Sequence, residues 1–292
     1  MRTIQGKIAV VTGAGSGIGQ ATCLALAKKG AIIVMVDMNK EGMKETATLV
    51  KSAGSTASSH VVDVTKLKQM EKLVKEVEDL HGRVHIVINN AGIGIMEEFV
   101  DGSLENFQKV IDVNLWGVVY GSKLFLPMLL KESEGHIVNT SSLAGIISTP
   151  GMVSYGTSKF AVRGFSESLR AELKRHNIGV SSVHPGMINT NIAKTSECDD
   201  ASLHNKMVSW FERFGRPPSD VANKIVRAIE KNQMRVLVTP ETYIMDVAKR
   251  IAPTISEEVG GRMMGMFRKA ISPDYGKVKT NAVESDKKRQ SA

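Results

Sequence analysis

Seven short runs rich in β-branched residues, alternating with helical patterns, constrain this chain more than any other feature. The runs are Lys7–Thr12, Ile32–Val36, His60–Asp63, His85–Asn89, His136–Thr140, Gly179–Val183 and Arg235–Thr239. Helical spacing fills 17–29, 40–53, 66–80, 104–131, 152–175 and 219–231. Strands apolar on both faces that alternate with helices are buried in a parallel sheet covered on both sides. The expected fold is α/β, a doubly wound parallel sheet of seven strands. Neither a repeat nor an interdomain linker interrupts the pattern. Residues 1–240 are therefore expected to form one domain, including a long segment over 187–216. A helical extension over 241–275 and a disordered tail over 276–292 should follow.

Composition narrows the functional classes. With 42% hydrophobic residues in 292, the chain can bury a sizeable core. Cys23 and Cys198 form neither a disulfide framework nor a metal-ligand pattern, so a reducing, cytoplasmic setting is expected. The seven histidines hold no H-E-x-x-H motif, and no metal site is expected. A G-x-S-x-G nucleophile turn is also absent. The first twelve residues lack a signal-peptide pattern, and no apolar run reads as long enough to span a membrane. The net charge is +8. Part of it sits in the tail, where Lys277, Lys279, Lys287, Lys288 and Arg289 face Glu284 and Asp286. Such a tail reads as solvated rather than as a nucleic-acid arm.

The turn after the first run, Thr12-Gly-Ala-Gly-Ser-Gly-Ile-Gly19, opens the first helix. Free N–H groups at the positive end of a helix suit a dinucleotide pyrophosphate, which makes the expected sheet one of the Rossmann type. The glycines fit G-x-x-x-G-x-G through Gly13, Gly17 and Gly19, with Gly15 as an extra, and Ser16 and Ile18 lie between them. Asp37 ends the second run, 24 residues after Gly13. A carboxylate there can accept from both adenosine ribose hydroxyls and repel a 2′-phosphate. Neither Met38, Asn39 nor Ser16 is basic, so NAD is favoured over NADP. The alternative is that Asp37 only caps the helix near Asn39. Asp63 and Val64 end the third run, where Asp63 can edge an adenine or cap the helix ahead of Lys66.

Tyr155 and Lys159 lie four residues apart in a helical segment, which puts both side chains on one face. A phenol beside a fixed ammonium is an acid/base pair, because the cation favours the phenolate.

With Asn89-Asn-Ala-Gly92 after the fourth run, these motifs resemble the short-chain dehydrogenase/reductases over residues 5–240. Asp63, Asn114 in Val-Asn-Leu-Trp-Gly, Ser142 in Asn-Thr-Ser-Ser, and Pro185-Gly186 followed by Thr190 extend the match. The resemblance implies that Tyr155 is the general acid/base and that Lys159 lowers its pKa and holds the nicotinamide ribose. It implies that Ser142 bonds the substrate oxygen and that Asn114 holds a water linking Lys159 to solvent. Ser141 should point away on an extended strand. The implied cofactor set is Gly13, Ser16, Gly17, Ile18, Gly19, Asp37, Asp63, Val64, Asn90, Ala91, Gly92, Tyr155, Lys159, Pro185, Gly186, Ile188 and Thr190. Asn89 to Gly92 should pack beneath the cofactor and steady the first strand through Thr12. A homotetramer or dimer built on 104–131 and 152–175 is implied as well.

Specificity should lie in the loops at the carboxyl ends of the strands. In 187–216, Met207, Trp210, Phe211 and Phe214 have helical spacing and form an apolar lid face. Ile93, Met96, Leu143, Met152 and Met187 supply further walls of a substrate pocket; alternatively, the lid residues only pack against the body or a partner. Glu97 and Glu98 read as surface residues, with a place at the site entrance as the alternative. An apolar secondary alcohol or ketone of aryl, steroid-like or terpenoid type is the expected substrate. Over 241–270, Tyr243, Ile244, Val247, Ala248 and Ile251 form a stripe that reads as packing or capping, with membrane contact as the alternative. The leading function is an NAD-dependent oxidoreductase. The alternatives are a non-catalytic NAD-binding sensor or scaffold and a membrane-peripheral lipid or retinoid-type dehydrogenase.

Overall fold

The computed structural model describes residues 1, 3–190, 197–198 and 201–271. The tail 276–292 and the end of the extension, 272–275, lie outside the described residues. The first half runs β1 (Ile8–Thr12), α1 (Gly17–Ala27), β2 (Ile32–Asp37), α2 (Lys40–Ser52), β3 (Ala57–Val61), α3 (Leu67–His81) and β4 (Ile86–Asn89). A short β5 (Ile95–Met96) precedes α4 (Leu104–Ile111), α5 (Gly117–Leu130), β6 (Gly135–Thr140), α6 (Val153–Leu173) and β7 (Ile178–His184). The chain continues through β8 (Glu197–Cys198), α7 (Ala201–Phe214), α8 (Pro218–Lys231), β9 (Arg235–Leu237), α9 (Pro240–Ile251) and α10 (Pro253–Ile271).

Seven strands form one parallel sheet in the order β3-β2-β1-β4-β6-β7-β9. Side chains alternate across it, as the two-residue period of a strand requires. Ala9, Val11, Ile33, Met35, Ile86 and Ile88 meet Cys23 and Leu26 of α1 and Val221, Ile225 and Ile229 of α8. Ile8, Val10, Val34, Val36, Val87 and Ile137 meet Met70, Leu73 and Val77 of α3 and Phe125 and Leu129 of α5 on the other face. Burying each Val, Leu or Ile contributes about 1.5–3 kcal/mol, so two filled faces account for the regularity of the sheet. The chain runs from β1 out to β3 at one edge and then crosses to β4 on the other side of β1, and that reversal opens a crevice at the carboxyl ends of β1 and β4.

Five features differ from the sequence reading. The third strand covers Ala57–Val61 rather than 60–63. It is an edge strand, defined by backbone pairing of Ser58 and Ser59 with Val34 and Met35 rather than by apolar side chains. The single helix expected over 104–131 is broken by a π-helical turn at Asp112–Trp116. Leu104–Leu130 is nevertheless long and apolar enough to cross a membrane by length and composition, contrary to the sequence reading. Nearly half of its most apolar window is buried, as in a core helix. The last strand stops at Leu237, and Thr239 becomes the N-cap of α9. Fifth, the apolar stripe of the extension does not pack inward. Ile244, Val247 and Ile251 are exposed, while Thr242 and Asp246 are buried. An ion-pair chain selects that docked face: Asp246 reaches Arg235 at 2.8 Å and Arg250 at 2.7 Å, and Arg235 reaches Glu167 of α6 at 2.6 Å.

Candidate active site

The glycine turn is shaped by close approach. Gly13 and Gly17 have φ of 67° and 53°, in the left-handed region that glycine adopts freely. A Cβ on Gly19 would lie 1.9 Å from the Gly13 carbonyl oxygen, so the turn closes only without one. Asp37 braces it: Oδ2 accepts from Gly15 N–H at 2.8 Å and Oδ1 from Asn39 N–H at 2.8 Å. The cap of α2 is Asn39, which accepts from Gly42 N–H, so Asp37 is not the helix cap. At the N-cap of α1, Ser16 makes no capping bond, and the first turn carries no carboxylate. These features fit a pyrophosphate. Thr190 sits over the turn, 3.4 Å from where a Gly17 Cβ would be. A cleft of about 660 Å³ reaches the turn between α1, α2 and α8, lined in part by Ser16, Gly17, Asn39, Asn189 and Thr190.

Across the crevice, the Asn90 and Ala91 N–H groups both donate to Thr12 Oγ1, at 2.9 and 3.0 Å. Asn90 Nδ2 also donates to the Thr12 carbonyl at 3.2 Å. Below them, Asn89 bonds Ser122 and Asn139, and Asn139 bonds Ser166, a buried chain joining β4, β6, α5 and α6. Asp63 accepts from the N–H and hydroxyl of Thr65, closing a turn, while Lys66 holds the N-cap of α3. The N-cap reading of Asp63 is thereby corrected. Val64 is buried against Gly117.

The candidate acid/base residues meet between the end of β6 and the start of α6. Ser142 is extended at φ −169° and ψ 171°, and its Oγ accepts from Ala144 N–H at 3.1 Å. The Ser142 side chain also lies near enough to the Tyr155 phenol to favour its phenolate. Ser141 points the other way and donates to the Lys159 carbonyl at 2.8 Å. Lys159 Nζ lies 5.5 Å from the Tyr155 ring centroid and donates to the Thr140 carbonyl at 3.0 Å. Burial brings the Lys159 ammonium down to about 8. Burial also pushes the Tyr155 phenol above its ordinary value, and the Ser142 side chain pulls it partly back. The expectation that Lys159 leaves this phenol below the usual range is not met, because loss of solvent is the larger effect on both groups.

The π-turn brings Asn114 fully inside. Its Oδ1 accepts from Ile93 N–H at 2.9 Å, and its Nδ2 donates to the Ile93 carbonyl at 3.0 Å and to Ser158 Oγ at 3.1 Å. A Cβ on Gly92 would lie 3.1 Å from Asn114 Oδ1 and 3.5 Å from Lys159 Nζ, so both atoms flank this glycine.

On the substrate side, Pro185 and Ile188 are buried, and Gly186 packs against Glu241. Glu241 accepts the Met187 N–H at 3.0 Å, a contact between residues 54 apart. Leu143 follows Ser142, and Met152 precedes α6 and bridges to Glu97. Met96 is buried, and Ile93, Leu143, Met152, Met187, Met207 and Phe211 are half-buried. Trp210 is 42% exposed, its ring 4.8 Å from the exposed Phe214 ring, so it is not part of an inner wall. Glu97 is half-buried and accepts from Asn106 at 2.9 Å, which corrects its surface reading. With Phe99, Phe107 and Val153 it lines a hollow of about 190 Å³ beside the start of α6. Sequence reasoning missed Thr140, Ser158, His184 and Glu241. His184 alone carried a signal, a polar residue ending an apolar strand just before Pro185-Gly186. Among the described residues, no cluster of His, Cys, Asp and Glu could hold a metal ion.

A parallel sheet with a glycine turn at its switch point and a Ser-Tyr-Lys cluster at its carboxyl edge defines a dinucleotide-dependent type of enzyme. The short chain dehydrogenase family model matches residues 7–201. SadH of Mycobacterium tuberculosis, named as an oxidoreductase, is 39% identical over 255 residues, spanning 86% of this chain and 92% of its own. A short-chain dehydrogenase/reductase from Burkholderia phymatum, crystallised with NAD, superposes with a TM-score of 0.81 at 28% identity, covering 88% of this chain and 97% of its own. A metagenomic short-chain oxidoreductase crystallised with NADP has a TM-score of 0.68 at 28% identity, covering 81% and 98%. The chain belongs to the short-chain dehydrogenase/reductase family and is an oxidoreductase.

Proposed function

We propose that residues 1–240 form a catalytic unit that moves a hydride between NAD(H) and an apolar secondary alcohol or its ketone. One observation carries this reading: Lys159 and Ser142 both act on Tyr155, the ammonium 5.5 Å from the ring centroid and the hydroxyl favouring the phenolate. When bound, NAD supplies the nicotinamide that accepts the hydride in the oxidising direction. Tyr155 takes the alcohol proton onto its phenolate oxygen and returns it in reduction. Ser142 donates to the developing alkoxide and keeps Tyr155 oriented. Lys159, tied to Thr140, keeps a positive charge beside the phenolate, and Asn114 holds its place next to Lys159, where the proton can pass toward solvent.

Three features support the cofactor and substrate classes. Asp37 offers a carboxylate to a ribose diol, while Met38 and Asn39 offer no cation to a 2′-phosphate. Because a solved relative was crystallised with NADP, the choice between cofactors turns on Asp37. Half-buried Leu143, Met152, Met187, Met207 and Phe211 suit an aryl, steroid-like or terpenoid carbon skeleton.

The test is NADH formation over a size-graded panel of apolar secondary alcohols, with NAD and NADP in parallel. NAD-dependent turnover should fall roughly 10²–10⁴-fold in Tyr155→Phe, the range for losing a general acid/base. Turnover that survives in Tyr155→Phe would overturn the role of Tyr155, and preference for NADP would overturn that of Asp37.

A further inference from the structure

We infer that His184 is a positioning residue for the acid/base pair: its imidazole holds the Ser142 backbone so that the Ser142 hydroxyl meets Tyr155. This rests on the reading of Ser142 and Tyr155 above. Ser142 stands where β6 gives way to the turn Leu143–Gly145. The chain on either side is pinned to the end of β7. Ser141 N–H donates to the Val183 carbonyl at 2.8 Å, and Leu143 N–H donates to the Pro185 carbonyl at 2.8 Å. The Ser142 carbonyl accepts from Gly145 N–H at 3.0 Å and lies 3.0 Å from His184 Nδ1.

A carbonyl only accepts, so the His184 proton must sit on Nδ1. Nε2 is then an acceptor, and Ser182 Oγ, 3.0 Å away, donates to it. Both partners are buried, His184 completely. The imidazole is therefore fixed at both nitrogens, in one tautomer, as a strut between β7 and the catalytic serine. Arg163 of α6, Arg235 of β9 and Asp246 of α9 are the charged groups whose fields reach it. Burial keeps it neutral by lowering its pKa to about 4, so the strut does not titrate in the working range. An apolar residue at 184 would fill the space but leave Ser142 one donor short, free to turn its hydroxyl away from the phenol.

The readout is the pKa of Tyr155, because the Ser142 hydroxyl favours the phenolate. It is obtained by phenolate absorbance, as each variant minus the same variant carrying Tyr155→Phe, and needs no substrate. Ser142→Ala sets the scale, an expected rise of about half to one pH unit for losing one hydrogen bond to the charged form. His184→Leu should move Tyr155 upward toward that value and lower kcat in the alcohol assay about tenfold, with KM little changed. His184→Asn, whose Nδ2 can donate from nearly the same place as Nδ1, should restore both. Ser182→Ala, a milder change that frees the ring, should shift both the same way by less, and it covers the case in which His184→Leu does not fold. His136→Gln, a buried histidine far from the site, should leave the Tyr155 titration where it is. If His184→Leu and Ser182→Ala melt lower but keep the wild-type Tyr155 pKa and kcat, His184 is only packing and the inference falls. If Ser142→Ala and Tyr155→Phe keep full turnover, the reading of the acid/base site fails, whatever His184 does.

Discussion

The carboxylate of Asp37 accepts the Gly15 N–H on one oxygen and the Asn39 N–H on the other, so the residue proposed to meet a ribose also holds the glycine turn in shape. Asp37→Asn should therefore act on both. One of the two N–H groups loses its acceptor, which costs about 1–3 kcal/mol. Removing the charge also lifts the repulsion of a 2′-phosphate. The expected outcome is a melting temperature a few degrees lower together with a fall in KM for NADP relative to NAD, measured by calorimetry and parallel kinetics. The proposed first role of Asp37 rests on its place after a strand. The second was not legible in the sequence, because it depends on two backbone N–H groups brought to one side chain by folding. Tyr155 and Lys159 were legible for the opposite reason: four residues of helix place them together whatever the rest of the chain does. His184 and Glu241 escaped because their partners, Ser142 and Met187, lie 42 and 54 residues away.

Elements whose identity depends on side-chain periodicity matched the sequence pattern; those that depend on backbone pairing or on a local irregularity did not. The edge strand β3 was misplaced because Ser58 and Ser59 carry no apolar signal, and the π-turn at Asp112–Trp116 leaves no mark in a 3.6-residue period. That turn matters, since it carries Asn114 to Ile93. The first βα connection is the element most sensitive to substitution. Gly19→Ala would press a Cβ into the Gly13 carbonyl and open the turn, so NAD affinity should fall more than tenfold by isothermal titration. The matched substitution Gly164→Ala lies on the open face of α6, with nothing within 4 Å of the added carbon. It should stabilise the protein by about 0.5–1 kcal/mol through helix propensity and leave NAD binding unchanged. Equal effects of the two on NAD binding would mean that the close approach in the turn is not what shapes the cofactor end.

At the scale of the molecule, the sheet buries histidines that must stay neutral. His136 lies against Ser181 and is held down to about 3, and His184 to about 4, in both cases chiefly by burial. An unfolded histidine titrates near 6.5, so the unfolded chain binds more protons below that pH than the native one. The stability these residues allow is complete above about pH 6.5 and is lost as pH falls through 4 toward 3. Urea unfolding at pH 7, 5 and 4 should show wild type losing stability more steeply than His136→Gln; parallel slopes would mean that His136 does not carry the linkage. Short-range physics along the chain dictates the alternation of strands and helices, the parallel sheet, the glycine turn, and the Tyr155–Lys159 pair. The tertiary structure alone decided which distant groups complete the site. Asn114 reaches Ile93, His184 backs Ser142, Glu241 holds Met187, and an Asp246–Arg235 ion pair turns the apolar stripe of the extension outward. Those contacts join residues that a one-dimensional pattern keeps apart, and they follow from how the strands are ordered across the sheet.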